Sequence, residues 1–172
     1  LARRPKPPIA SSMLHEDLEE EGEFVLIDVK RSLFALPDSR PIRQLRIYQV
    51  LPKTTTHVAN KPRIGFANAE SARMLLGTIP VESDGSAFFR APAGKPLYFQ
   101  AVDKSGRAVQ TMRSITYLQS GERRSCLGCH EPRRTAPTNR QGLLALKRSA
   151  STIQPGPDGT RPFSFPRLMQ PV

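Results

Sequence analysis

Tryptophan is absent from the 172 residues, cysteine occurs only twice and histidine three times. Two cysteines cannot build a disulfide scaffold. No apolar run approaches the ~20 residues a bilayer-crossing helix needs, so no membrane span is expected. Helix-bundle composition is missing too, because 17 Pro and 11 Gly punctuate the chain and point to a turn-rich fold. Acidic residues are outnumbered, 15 against 26 Lys and Arg, for a formal charge of +11. That balance suits nucleic acid, an acidic partner or an anionic cofactor. No helix-turn-helix, RNP-like aromatic stretch or finger spacing supports nucleic acid, which is set aside. The chain starts at Leu1 with no hydrophobic signal region behind it, and is read as a piece of a longer protein.

What is present is a series of short strand signals. Residues 1–22 are Pro-rich and then acidic, a linker or edge segment; His15 and Glu16 open an HExxH-like pattern that fails at Glu19. Strands are expected over Phe24–Val29 and Ile42–Leu51, the latter with Leu45 and Ile47 on one face and Tyr48 and Val50 on the other. Met74–Val81 follows, closed by the turn Ser83-Asp84-Gly85-Ser86. Ala87–Arg90, Leu97–Val102, Ala108–Met112 and Ile115–Leu118 complete the set, with turns at Pro92–Lys95 and Asp103–Gly106. About seven short strands at this spacing predict an all-β domain over 24–118, an antiparallel sandwich or Greek-key arrangement.

From Gly121 the composition turns basic and poor in strand signals, and only Gln141–Arg148 reads as helical, for about two turns. A tail with so little core of its own needs something else to organise it. The candidate organiser is Cys126-Leu127-Gly128-Cys129-His130. C-x-x-C-H is the attachment sequence for c-type haem. On a helical turn the two thiols would share one side and reach the two vinyl groups of a porphyrin edge, with His130 placed to ligate the iron. Gly128 would let the backbone lie close to the ring. Residues 119–160 are therefore read as an irregular haem-binding segment, expected to fold around the porphyrin through Leu127, Leu143, Leu144 and Leu146. Arg113, Arg123, Arg124, Arg133 and Arg134 are candidate partners for the propionates. For the sixth ligand Met13, Met74, Met112, Met169, His15, His57 and Tyr117 stay open, with Met74 and Met112 expected to pack because they lie on strands. The competing readings are a redox or disulfide Cys pair and half of a metal site.

A wider resemblance joins these pieces. Leu76–Glu82, Asp84–Ala87, Pro92–Gln100, Gly106–Ser114 and Gly121–Ser125 leading into the Cys motif and Glu131 resemble the middle domain of the hydrazine synthase alpha subunit. The likeness covers most of 40–150. It implies a β-domain carrying one covalent haem c, preceded by a propeller-like region and followed by a further cytochrome domain, within a large secreted cytochrome. Pro162–Val172 resembles the lead-in to that next domain, which sets 161–172 apart. Two departures stand out: Arg134 occupies the fourth position after His130, where an aromatic ligand could have stood, and there is no third Cys. The expected role is electron transfer or redox chemistry at the haem, with a redox partner protein or a neighbouring cytochrome domain as partner. The expected compartment is periplasmic or extracellular. The alternative is a β-sandwich interaction domain whose cysteines form a disulfide or metal clip.

Overall fold

The computed structural model describes residues 20–32, 35–37, 39–51, 72–112, 114–129, 140–157 and 159–161. The expected linker before residue 20 and the lead-in at 162–172 lie outside them. The described residues form seven strands: β1 (Glu21–Leu26), β2 (Ile42–Val50), β3 (Arg73–Pro80), β4 (Ala87–Pro92), β5 (Leu97–Asp103), β6 (Ala108–Thr111) and β7 (Arg123–Cys126). They divide into a three-stranded sheet, ordered β4-β1-β7, and a four-stranded sheet, ordered β3-β2-β5-β6. All pairings are antiparallel except that of β1 with β7. Among the described residues no helix is long and apolar enough to cross a membrane.

The alternation expected of half-buried strands sets the core. Leu45 and Ile47 of β2 and Leu97 and Ala101 of β5 face Phe24 and Leu26 of β1 and Ala87 and Phe89 of β4 in one buried cluster. Phe99 of β5 meets both Phe24 and Phe89 edge-on, at 5.1 and 5.6 Å between ring centroids, so the two sheets are joined by an aromatic contact.

Two expectations are corrected. The number of strands agrees, but Ile115–Leu118 is not one of them: Thr116 makes a single bridge to Leu97, and Ile115 and Tyr117 are exposed. The seventh strand is Arg123–Cys126, inside the segment expected to be irregular. Its side chains carry no strand preference. It is extended because β1 offers an open edge, onto which Glu23 to Leu26 pair with Arg123 to Cys126 in parallel register.

The tail is organised differently as well. Instead of two helical turns there is one turn of 3₁₀ helix, Leu144–Lys147, without a side-chain cap of its own. Its leading amides are satisfied by the turn before β4: Leu144 N–H donates to Asp84 Oδ2 at 3.1 Å and Ala145 N–H to Ser86 Oγ at 3.1 Å. Leu143 and Ala145 are buried against Val25 and Phe88, on the outer face of the three-stranded sheet. Arg148 bonds Glu82 at 2.8 Å, and Ser151 and Gln154 bridge to Phe89 and Thr78. Gly77 makes the last crossing possible, since a Cβ there, at φ +148°, would overlap the Gln154 carbonyl. The segment 140–154 is thus held by packing on the sandwich, and Leu143, expected to lie on a porphyrin, is spent elsewhere.

Asp84 is the centre of this clamp. Partial burial pushes its carboxyl up, but bonds from Ser86 and the Leu144 amide, with the Arg140 charge, outweigh that and hold it below its ordinary 3.8. A depressed folded pKa gives stability that is complete above the unfolded value and is lost as pH falls through the folded one. The tail clamp is therefore expected to hold at neutral pH and to loosen only below about pH 3.8. In hydrogen exchange at neutral pH the haem-free chain should protect the Leu144, Ala145, Ser151 and Gln154 amides. Asp84→Ala should remove the Leu144 protection, weaken that of Ala145 because Ser86 Oγ loses its bond to Asp84, and cost about 1–3 kcal/mol in urea unfolding, since the Leu144 amide is left without its acceptor.

Candidate functional site

The Cys motif begins where β7 ends. Cys126 stands opposite Leu26, and the ladder runs on for two bonds, from Ile27 N–H to the Cys126 carbonyl (2.9 Å) and from Asp28 N–H to that of Leu127 (3.1 Å). Beyond this the chain bends at Gly128 and Cys129. The expected helical turn is not what presents the thiols: Cys126 is on a strand and Cys129 on the bend that follows.

Gly128 has a different task from the one the sequence suggests. A Cβ on it would overlap the Arg31 carbonyl and come within 3.0 Å of that of Asp28. Its missing side chain lets the motif close onto the loop after β1. That loop is itself tied down, since Arg31 N–H bonds the Asp28 carbonyl at 3.1 Å and Val29 N–H that of Gly85 at 2.8 Å.

Cys126 and Cys129 are half-buried and pack against the main core. Both line a cavity of about 240 Å³ that opens between the sheets. Its deep wall is Phe24, Phe89 and Phe99 with Leu26 and Leu45, and its rim is Gln110, Thr111, Met112 and Ser114. Phe24 and Phe89 stack at 5.5 Å and are almost wholly buried, so this wall is rigid as well as apolar. The volume falls short of the ~300–1,000 Å³ that encloses a whole drug-sized ligand, so a larger group would enter it only in part. A larger cleft, about 590 Å³, runs along Glu20 to Glu23, Arg90 and Gly121, but it is mainly polar and holds neither cysteine.

The arginines divide by face. Arg123 stands opposite Glu23 and bonds it at 2.6 Å; its guanidinium lies over Phe88, on the outer side of the sheet. Arg124 stands opposite Phe24, on the same face as Cys126, where it pairs with Glu122 at 2.9 Å and lies over the Tyr117 ring. The Gln119 amide, together with Arg124, holds the Glu122 carboxyl below its ordinary value. Of the two described residues among the five expected propionate partners, only Arg124 is on the cavity's face of the sheet. His130, Arg113, Arg133 and Arg134 lie outside the described residues. Of the leucines expected to meet a ring, Leu143 is under the tail clamp and Leu146 is half-exposed.

A two-sheet β-domain that presents a Cys-x-x-Cys pair at an aromatic cavity is the class these features define. Residues 41–131, more than half of the chain, match the family model of the hydrazine synthase alpha subunit middle domain, and the chain belongs to that family. The hydrazine synthase subunit alpha of Kuenenia stuttgartiensis is 40% identical over 58 residues, which are 34% of this chain and 7% of that protein. The solved hydrazine synthase structure from the same organism superposes with a TM-score of 0.62 at 25% identity, over 79% of this chain and 21% of the matched one. The chain thus spans a small part of each relative's length.

The site geometry makes one substitution informative. Gly128→Ala should force the motif off the Asp28–Arg31 loop and lower unfolding stability by about 1–3 kcal/mol, as overpacking against backbone does. Gly156→Ala, with nothing within 4 Å of the added carbon, should stay within about 0.5 kcal/mol of the parent in the same urea titration.

Proposed function

We propose that this chain is a c-type haem-binding domain of a larger exported protein similar to the hydrazine synthase alpha subunit, serving electron transfer or redox chemistry at the haem. The observation that carries the proposal is the meeting of both thiols of the C-x-x-C-H sequence at one rigid aromatic cavity that a larger group would enter only in part. The residues fit the group chemically. Cys126 and Cys129 would supply the two thioether links, His130 the proximal nitrogen, and Phe24, Phe89 and Phe99 the apolar contact against a ring face or edge. When bound, the haem supplies a one-electron centre whose potential is set by its ligands and by burial. The chain's own residues would exclude water from that edge, and the pairing of β7 with β1 fixes the backbone at the thiols. Arg124 is the described cation on the cavity's face, able to exchange its contact with Glu122 for a propionate.

Thioether attachment calls for export to a compartment with attachment machinery, which supports a periplasmic or secreted location for the parent. The partner in this reading is a neighbouring cytochrome domain of the same chain or a separate redox protein. The test is secretion of the chain into a bacterial periplasm equipped for haem attachment, followed by mass measurement under denaturing conditions. One haem retained per chain is expected, and none in the Cys126→Ala/Cys129→Ala double variant. A wild type that gains no haem, or a double variant that keeps it, would overturn the proposal; a wild type found two hydrogens light would point to the disulfide clip instead.

A further inference from the structure

The loop after β1 touches three distant parts of the chain through one residue, Asp28. Its amide donates to the Leu127 carbonyl at 3.1 Å, inside the Cys motif. Its own carbonyl accepts from Arg31 N–H at 3.1 Å and lies where a Cβ on Gly128 would come within 3.0 Å. Its carboxylate serves the tail: Oδ2 meets Nη1 of Arg140 at 3.1 Å, while Oδ1 accepts from the Lys30 amide at 3.0 Å. Gly85 closes on the same carboxylate, since a Cβ there would overlap Oδ1. The other terminal nitrogen of Arg140 donates to the Asp84 carbonyl at 3.0 Å, so this cation ties the Ser83–Ser86 turn to the loop.

The Cys motif and a cation of the tail thus rest on the same residue. Among the described residues the tail has one more cation in an ion pair, Arg148, but it is matched to Glu82 and bonds Ser149 and Ser151, none of which belongs to the loop after β1. Side chains as exposed as Asp28 and Arg140, at 28% and 37%, add little to global stability by pairing. The value of such a pair lies in holding one segment in one place against another. The two thiols depend on that place to different degrees. Cys126 belongs to β7 and is set by its register with Leu26. Cys129 stands past the end of the ladder, on the bend, and follows from how Gly128 rests on the Asp28 and Arg31 carbonyls.

We propose that Asp28 and Arg140 are positioning residues for the Cys motif: the pair holds the loop on which Gly128 rests, and so sets where Cys129 presents its sulfur to the cavity. The purpose of this placement rests on the haem reading above, since two thioethers to one ring demand a fixed spacing of both sulfurs.

The experiment compares the wild type with Asp28→Asn, Arg140→Met, Arg140→Lys, the Asp28→Asn/Arg140→Met double variant and Arg148→Met, a control that breaks the other ion pair of the tail. In the haem-free full chain, kept reduced, alkylation by iodoacetamide is timed at each thiol, with the site located by fragment masses. Both half-buried thiols of the wild type should react more slowly than in urea. Asp28→Asn and Arg140→Met should each speed Cys129 by about threefold or more through local opening, and leave Cys126 within about twofold. Arg140→Lys, which keeps the charge, should recover most of the wild-type rate, and Arg148→Met all of it. The double variant should match the faster single one, because both changes act through one contact. Arg148→Met as fast at Cys129 as Arg140→Met would overturn the proposal, since the tail would then be loosened in general. Equal acceleration of both thiols, multiplied effects in the double variant, or wild-type thiols that react as in urea would overturn it too.

The exported, haem-loaded chains are measured in parallel. Haem is counted per chain by its pyridine complex. None retained would overturn the haem reading and the purpose assigned to the pair, while the alkylation rates still decide whether Asp28 and Arg140 place Cys129. With haem retained, the Soret circular dichroism, which depends on how the ring lies against its aromatic neighbours, should change in Asp28→Asn and Arg140→Met and match the wild type in Arg148→Met. A signal unchanged in all three would overturn the pair's role toward the ring.

Discussion

The parallel pairing of β1 with β7 is the contact on which the rest of the arrangement depends. It joins Glu23 to Arg123 and Leu26 to Cys126, and so brings the Cys motif against the core from a hundred residues away. β1 is then the central strand of its sheet, with β4 on one edge and β7 on the other. Both of its faces are covered: Phe24 and Leu26 face the second sheet, and Val25 lies under Leu143 and Ala145. A strand enclosed on both edges and both faces has little freedom to slip, because a shift of one residue would exchange its two apolar faces. The position of Cys126 inherits that constraint.

The excess of arginine looks different once the folded contacts are known. Arg123 is matched to Glu23, Arg124 to Glu122, Arg140 to Asp28 and Arg148 to Glu82. Each pair is partly exposed and so contributes little by itself to stability. What most of the pairs have in common is placement. Arg140 and Arg148 join the tail to the loop after β1 and to the segment between β3 and β4, and Arg123 ties the start of β7 to β1, while Arg124 pairs with its near neighbour Glu122. Three of the four thus fasten segments distant in sequence, which accounts for part of the basic composition without any polyanionic partner.

Much of the sandwich could be read from local signals, because its turns are written in Gly and Asp and its strands in alternating apolar residues. The turn at Ser83–Ser86, the inward face of Leu45 and Ile47 and the run from β3 to β6 are of this kind. β7 could not be read so, since Arg-Arg-Ser-Cys has no strand character and is extended only by what it pairs with. The opposite error at Ile115–Leu118 has the same origin: the residues alternate, but only Thr116 finds a partner, Leu97, and a single bridge does not make a strand. At the site, the Cys motif was visible from its spacing, and the cavity it faces was not. Phe24, Phe89 and Phe99 read as ordinary core residues, because nothing local tells that three strands far apart in sequence converge beside the thiols. The closeness of Gly128 to the Arg31 backbone was not legible either, since that contact exists only after β7 has docked.

The separation between β1 and its partners also orders events in time. Closing a long loop is slow, and contacts of high sequence separation form late. During synthesis the inward face of β1 must wait first for β4 and then for β7, the last of the seven strands to be made and later than every member of the four-stranded sheet. The nascent chain therefore passes through a stage in which a Phe- and Leu-lined slot is open at one edge and the strand that fills it is still unpaired. Both thiols are carried by, or sit just past, the last strand to dock. They stay open to solvent until that strand docks.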